Sequence, residues 1–498
     1  MSHENLTAPL PEDIRRIEDK KLIVRRIESV FEILVFCLFY YLIWNRFYRY
    51  SPDFINPLLG RGKWVLLLIY AILTLIIVHM NEGWRFGHFK ILDVMINQWV
   101  ALFMVDFITY LELSLMSAVM LDPLPMLLLW GLELPVATAS TIIFSVYYRH
   151  RIVPYNMLLI YGNENAVSLK FKMDTRQEKY HVAKLVSADA PMSELAELMK
   201  KYNAVIISDI PADKRNEILK YNYAHGIRTY LTPKVSDIIE SGAKSINLFD
   251  TPLMLVRGLG LSIGNRIAKR TFDIVVSLIC LILFSPLMLA ICIAIKLEDH
   301  GPVIYKQERV TLNGRKFDIL KFRSMIVDAE KDNNSIPATD EDPRITKVGK
   351  IIRACRIDEL PQLINILKGD MSVVGPRPER TEHVEKYTNE IPEWPLRNKV
   401  KGGLTGYAQI YGKYNTAPLD KLRLDLMYIE NYSFLLDIKI ILMTVRILFE
   451  KESTEGFDKQ ITIEEIKAEV ERAEAENRAE GIIVRRRHPR RARKGKRN

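Results

Sequence analysis

Two adjacent carboxylates, Asp358 and Glu359, follow Arg353 and Arg356 closely, and Arg377 comes later within Val374-Gly375-Pro376-Arg377-Pro378. An acid pair among arginines at these spacings suits phosphoryl chemistry. A carboxylate can attack phosphorus as a nucleophile, and guanidinium forks match phosphoryl oxygens. Two acids together with a diphosphate make a hard oxygen site that suits Mg²⁺. Pro361 fits the first turn of a helix running through Gln362-Leu363-Ile364-Asn365. That helix would set Asp358 just ahead of its own start, where backbone N–H groups favour anions. Taken singly, each arginine reads as a surface ion pair and the acids as a solvated helix face. The set reads as a phosphate site.

The elements that must position this site include an apolar run. From Ile274 to Ile295 the chain is apolar, with Ser285-Pro286 near its middle. Arg266, Lys269 and Arg270 lie before the run and Lys296, Lys306 and Arg309 after it. Basic residues on both flanks place both ends on the cytoplasmic side. The run is then expected to enter the bilayer, turn at Ser285-Pro286 and leave on the same face. Each arm would be about 16 Å long, near half of the roughly 30 Å hydrocarbon core. Pro286 removes a backbone donor and blocks the carbonyl four residues back; the Ser285 hydroxyl can satisfy a freed backbone group.

Four further apolar segments, near 30–49, 63–80, 94–120 and 123–148, read as membrane spans, the third interrupted by Asp106 and Glu112. Basic residues favour a cytoplasmic N-terminus and exit, through Arg15, Arg16, Lys20, Lys21, Arg25 and Arg26 in the leader and Arg149 and Arg151 at the end. The polar leader lacks the pattern of a removable signal peptide. Between 155 and 255, strand candidates Met157–Tyr161, Val182–Val186, Ala204–Ser208 and Arg228–Leu231 alternate with helices at Ser193–Tyr202 and Asp213–His225, which implies a parallel, Rossmann-like sheet. Its first strand ends in Gly162-Asn163-Glu164-Asn165-Ala166, which keeps only one glycine of a dinucleotide-binding fingerprint. A structural or regulatory module, and a plausible dimer contact, is the expected reading. The net charge is +10, but nine of the 14 residues from Arg485 to Asn498 are basic, so the balance elsewhere argues against nucleic acid. Cys37, Cys280, Cys292 and Cys355 show no metal-ligand or disulfide spacing.

Residues 265–455 resemble the bacterial sugar transferase family, the monotopic phosphoglycosyl transferases. The resemblance rests on Lys269-Arg270-Thr271-Phe272-Asp273, Ser285-Pro286, Tyr305-Lys306-Gln307-Glu308-Arg309 and Lys321-Phe322-Arg323-Ser324-Met325. It continues through Arg344 to Gly349, Asp358 to Leu363, Lys368 to Ser372, Val374 to Pro378 and Gly403 to Tyr407. With the four spans and the middle sheet, the chain from about 28 to 455 looks like the large, polyprenyl glycosylphosphotransferase form. The resemblance implies transfer of a sugar-1-phosphate, glucose or galactose above all, from a UDP-sugar to undecaprenyl phosphate with release of UMP. It implies Asp358 as nucleophile, Glu359 as a Mg²⁺ holder, and substrate contacts from Lys306, Arg309, Lys321, Arg323, Arg353, Arg356 and Arg377, with Pro376 and Pro378 shaping the nucleotide pocket. The expected domains are a leader 1–27, a membrane α-helical region of four spans 28–150, an α/β Rossmann-like cytoplasmic domain 151–262, an α/β transferase domain 263–457 with its re-entrant helix over 272–297, and an acidic helix with a basic tail 458–498. A membrane-bound nucleotide-sugar dehydratase or epimerase and a non-catalytic scaffold are the alternatives. Lys413–Asp420 and Asn333–Asp342 are candidate sugar-specificity stretches.

Overall fold

A computed structural model describes residues 12–49, 62–85, 91–151, 155–174, 180–248, 250–258, 260–327, 342–412, 416–447 and 463–480. The chain divides into two units, residues 1–232 with 459–498, and residues 233–458. Most of the 333–342 stretch, part of 413–420 and the basic tail lie outside the described residues.

The first unit begins with α1 (Glu12–Ile43), α2 (Gly62–Met80), α3 (Ile91–Ser117) and α4 (Leu124–Arg151). Their apolar composition leaves Leu34, Leu38, Leu68, Phe107 and Ile143 exposed, while Phe36, Tyr40, Tyr70, Leu102 and Leu129 are buried between helices. An apolar exterior of this kind is solvated by lipid rather than water. α3 is not interrupted: Asp106 is buried, and the Tyr70 hydroxyl lies 3.2 Å from its carboxylate and 2.5 Å from that of Glu133. Together with a later helix, five helices among the described residues are long and apolar enough to cross a membrane.

β1 (Tyr155–Tyr161), α5 (Ser168–Asp174), β2 (Tyr180–Ser187), α6 (Met192–Met199), β3 (Ala204–Ser208), α7 (Ala212–Ala224) and β4 (Arg228–Leu231) follow. The strands form one sheet in the order β2-β1-β3-β4, with every pairing parallel. Continuous β-branched and aliphatic runs produce this, because both faces of a parallel sheet are covered. Gly162 ends β1, and a Cβ there would stand 2.1 Å from the Asp209 carbonyl oxygen. The glycine is needed for backbone to pass backbone, whether or not a ligand is present.

The second unit opens with α8 (Val235–Ser241) and the hairpin of β5 (Lys244–Leu248) and β6 (Thr251–Leu255). Next comes α9 (Ile263–Asp299), whose helical assignment is continuous with Pro286 inside it. The turn expected at Ser285-Pro286 is therefore not an interruption of the helix, and the element extends beyond 272–297 at both ends. The Ser285 hydroxyl donates to the Ile282 carbonyl at 2.8 Å, the carbonyl that the missing N–H of Pro286 leaves without its helical partner. The rest comprises β7 (Ile304–Val310), β8 (Lys316–Phe322), α10 (Lys347–Ala354), α11 (Gln362–Lys368), β9 (Ser372–Val374), α12 (Thr381–Glu390), β10 (Gly403–Thr405), α13 (Tyr407–Tyr411), α14 (Pro418–Glu430) and α15 (Phe434–Ile447). Around Trp394, Ile366, Val374, Leu422 and Ile440 these elements bury one core. A last helix, α16 (Ile463–Ala479), returns to the first unit, where Ile466, Val470 and Ala473 join the core beside β1 and β2.

Both ends of α9 grip the second unit. Near its start, Lys269 pairs with Asp437 at 2.6 Å, and Arg270 donates to the carbonyls of Ile366 and Leu367. Asp273 accepts from the Ser372 hydroxyl and the Val373 N–H, both at 2.9 Å. Near its end, Ile291 and Ile295 pack on Phe322 and Ile352. Glu298 accepts from the N–H groups of Lys347 and Val348, and Asp299 pairs with Arg323. Between the anchors, Leu278, Ile279, Ile282, Leu283 and Leu289 are exposed.

Candidate active site

Asp358 and Glu359 lie in a short 3-10 turn, Ile357–Glu359, between α10 and α11. Arg356 starts that turn with φ of 53°, a left-handed conformation that is uncommon for a side-chain-bearing residue. Pro361 stands immediately ahead of Gln362–Lys368, as its fixed φ leads one to expect. The N–H groups of Glu359, Leu360, Leu363 and Ile364 all donate to carbonyls of the same turns. The helix start therefore offers few free donors to a phosphate, and the positive character comes from side chains.

β8 delivers Lys321 and the loop after β9 delivers Arg377. Lys321 and Arg377 both bond Glu359 Oε1, at 3.2 Å and 2.7 Å. The loop is held by backbone contacts: Gly375 N–H donates to Thr405 and Gly403 N–H to Pro376. A Cβ on Gly403 would stand 2.1 Å from Gly375 N, so the two turns touch backbone to backbone. Arg309 on β7 donates to the Pro378 carbonyl at 3.2 Å. Burial, with Arg377 and Arg380 nearby, pushes the Arg309 guanidinium down to about 10.

The two acids differ in their commitments. Burial opposes ionisation of Glu359, but Arg377 and Lys321 outweigh it and hold the carboxyl far below the usual glutamate range. Glu359 in turn raises Arg377 above the usual arginine range. Asp358 has no hydrogen bond or ion pair among the described residues. Burial and repulsion from Glu359 push its carboxyl up, against the attraction of Lys321, Arg353 and Arg377. One carboxylate is thus clamped and the other is left uncommitted among cations.

The residues expected here do not all converge. Asp358, Glu359, Lys321, Arg377, Arg353, Arg309, Pro376 and Pro378 belong to one neighbourhood. Arg356 enters through its backbone. Lys306 is exposed on the face of β7 opposite to Tyr305, Gln307 and Arg309, as strand alternation requires. Arg323 is buried against Asp299 at the end of α9. Glu379 is the residue that sequence reasoning missed. It accepts from Lys421 at 2.6 Å and lies 3.8 Å from Arg397 and 4.0 Å from Arg309. Burial opposes its ionisation, yet Lys421 and Arg397 hold its carboxyl at about 2. Arg397 also donates to the Arg377 carbonyl at 3.0 Å, so this cluster supports the site loop.

The bacterial sugar transferase family model matches residues 264–451. A UDP-glucose:undecaprenyl-phosphate glucose-1-phosphate transferase of Caulobacter vibrioides is 44% identical over 182 residues, 36% of this chain and 68% of that protein. The chain belongs to the bacterial sugar transferase family. Within that family, a protein of the same description from Klebsiella pneumoniae is 45% identical over 220 residues, 42% of this chain and 45% of the relative. A UDP-N-acetylgalactosamine-undecaprenyl-phosphate N-acetylgalactosaminephosphotransferase of Aeromonas hydrophila is 39% identical over 253 residues, 49% of this chain and 59% of the relative. The matches to these two span about half the length of each relative. The sugar transferase domain is carried by a polytopic inner-membrane protein, on its cytoplasmic side.

Replacing Glu359 by Gln removes the negative charge that two cations share. Truncating one side of a partly buried ion cluster leaves the other charges unpaired. Glu359→Gln is expected to cost about 3 kcal/mol, read as a lower unfolding midpoint at neutral pH. Because the folded carboxyl lies below its unfolded value, its contribution is complete above the ordinary glutamate range and is lost only as pH falls well below that range. The gap between wild type and variant should therefore be flat from neutral pH down to mildly acidic pH.

Proposed function

We infer that this chain transfers a hexose-1-phosphate from a UDP-sugar to undecaprenyl phosphate, releasing UMP and starting a surface polysaccharide. The observation that carries this reading is the division of labour between the acids, with Glu359 clamped by Lys321 and Arg377 and Asp358 uncommitted beside them. Asp358 attacks the β-phosphorus of the donor. The bond from that phosphorus to the bridging oxygen breaks, and UMP leaves with the electron pair. A phosphate oxygen of the lipid then attacks the same phosphorus, and the aspartate carboxylate is released unchanged. Phosphoryl transfer asks mainly for positioning and charge stabilisation. Lys321, Arg353 and Arg377 supply the charge, and the Glu379–Arg397 cluster keeps the Arg377 loop in place.

Among the described residues no group of three or more metal-ligating side chains occurs. The donor set still suits Mg²⁺, which takes one or two carboxylates and fills its shell with substrate phosphates and water. Asp358 is uncommitted, and Glu359 Oε2 has only a 3.4 Å contact to Arg377. Glu359 would hold the ion, which would neutralise charge on the diphosphate.

The geometry of α9 supports a re-entrant rather than a spanning course. A straight helix would set Arg270 and Asp299 about 44 Å apart. Their partners, Ile366 and Arg323, are joined by the Asn365–Leu320 contact and four residue steps of chain, roughly 20 Å of backbone, and the side chains making the end contacts add roughly 15 Å more, still short of that length. A bent anchor keeps the site at headgroup height, where a soluble nucleotide and a lipid phosphate can alternate.

The donor is UDP-glucose or UDP-galactose on this reading. Membranes carrying the wild-type chain, given a panel of UDP-sugars and undecaprenyl phosphate, should release UMP fastest from one of these two. Release from UDP-N-acetylgalactosamine alone would overturn the choice of sugar, and no release from any donor would overturn the reaction.

A further inference from the structure

A second basic concavity lies away from the acid pair. The site residues stand at the N-terminal end of α11 and the C-terminal end of β9; this cleft lies at the opposite ends of both elements. It has a volume of about 350 Å³ and is lined by Thr311, Asn313, Arg315, Gly369, Asp370 and Lys401. Arg270 reaches its wall from α9. Gly369 has φ of +91°, and a Cβ built on it would stand 3.5 Å from both Arg270 Nη2 and Lys401 Nζ. Two cations therefore converge on one point, no more than about 7 Å apart by that geometry.

Their commitments differ. Arg270 spends two donors on the Ile366 and Leu367 carbonyls. Arg315 pairs with Asp370 at 2.7 Å. Lys401 has no hydrogen bond or ion pair among the described residues, and burial together with Arg270 and Arg315 pushes its amine below the usual lysine range. An ammonium held half-buried beside two guanidiniums costs free energy unless an anion joins it. Asp273 and Asp370 are the acids nearby; Asp273 already accepts from Ser372 and Val373, and Arg315 occupies Asp370. The Thr311 hydroxyl donates to the Asp370 carbonyl at 3.0 Å, so this lining hydroxyl is committed as well.

The surroundings indicate where the anion comes from. Ile263, Ile267, Ile274 and Val275, on the same stretch of α9 as Arg270, are exposed, as are Phe434 and Leu435 at the start of α15. Apolar side chains exposed beside a cationic cleft match the boundary between acyl chains and headgroups.

We propose that Lys401, Arg270 and Arg315 form a phosphate-binding cradle, separate from the acid pair, that takes the headgroup phosphate of an anionic membrane lipid. The proposal stands independently of the assigned reaction, because the cradle contains neither Asp358 nor Glu359.

The test uses the full-length protein in nanodiscs of phosphatidylcholine, with or without phosphatidylglycerol, and separately with inorganic phosphate. The readouts are the unfolding midpoint and the lipids retained in native mass spectrometry. Phosphatidylglycerol should raise the wild-type midpoint, and Lys401→Gln should weaken its binding about fivefold, while Lys401→Arg keeps it. A wild-type shift with phosphatidylglycerol and none with inorganic phosphate supports the lipid source. An equal shift with inorganic phosphate supports the cradle but overturns the lipid assignment. Absence of any shift, or equal shifts in wild type and Lys401→Gln, overturns the cradle.

Discussion

Asp358→Asn should abolish transfer while leaving the protein folded. Removing a nucleophile from a covalent mechanism costs on the order of 10⁴-fold or more in rate, and an amide has no lone pair suited to attack on phosphorus. The unfolding midpoint should hold or rise. Burial and Glu359 push the Asp358 carboxyl up, so ionising it in the folded chain costs more than in the unfolded chain. The neutral amide escapes that penalty. Two measurements check this: UMP release from the UDP-sugar, and mass spectrometry of the enzyme quenched with donor alone. Wild type should carry a phosphosugar adduct on the peptide containing Asp358, and the variant none. Undiminished transfer by Asp358→Asn would remove the nucleophile assignment, and a falling midpoint would show that the carboxylate is structural.

The same reasoning sets the direction of the acid limb. A raised carboxyl loses its nucleophilic form at a pH above the ordinary aspartate range. Activity should fall as pH drops through that raised value, while fold stability, maintained by Glu359 and Glu379, persists to lower pH. A site that lost activity and structure together would point instead to those clamped acids.

The grouping of Asp358 and Glu359 with Arg377 was legible because these residues lie in short, distinctive runs. Asp358-Glu359-Leu360-Pro361 specifies a turn and a helix start through Pro361, and Arg377 is fixed between prolines. The parallel strands were legible because a sheet covered on both faces needs unbroken apolar runs. What could not be read depends on distant partners. Glu379 looks like one more surface acid until the 3-10 turn Trp394–Lys399 brings Arg397 to it and α14 brings Lys421. Lys306 and Arg309 look equivalent in sequence, and only strand alternation separates them. α16 reads as a solvated acidic helix, because its apolar stripe of Ile466, Val470 and Ala473 is thin; the sheet it covers lies some 300 residues earlier. The helix start beside Asp358 attracted too much weight for a local reason. Its N–H groups are spent within consecutive tight turns, which spacing alone does not reveal.

If α9 follows the proposed re-entrant course, Ser285→Ala combined with Pro286→Ala should make it cross the bilayer instead. In the wild type the Ile282 carbonyl takes the Ser285 hydroxyl because Pro286 has no N–H to give. Two alanines restore the ordinary helical bond at that carbonyl and remove the ring that wedges the turn apart. The apolar run is long enough to span once straight. Against this stand the grips at both ends, Lys269–Asp437 and Asp299–Arg323 among them, so Ser285→Ala alone should leave the course unchanged. Cys355, exposed next to the site turn, is a native reporter once Cys37, Cys280 and Cys292 are replaced by serine. In intact cells an impermeant maleimide should spare Cys355 in the wild type and label it in the double variant, with transfer lost at the same time. Protection of Cys355 in both would mean that the end grips, not the Ser-Pro pair, set the course of the helix, and labelling in both would mean that α9 already spans.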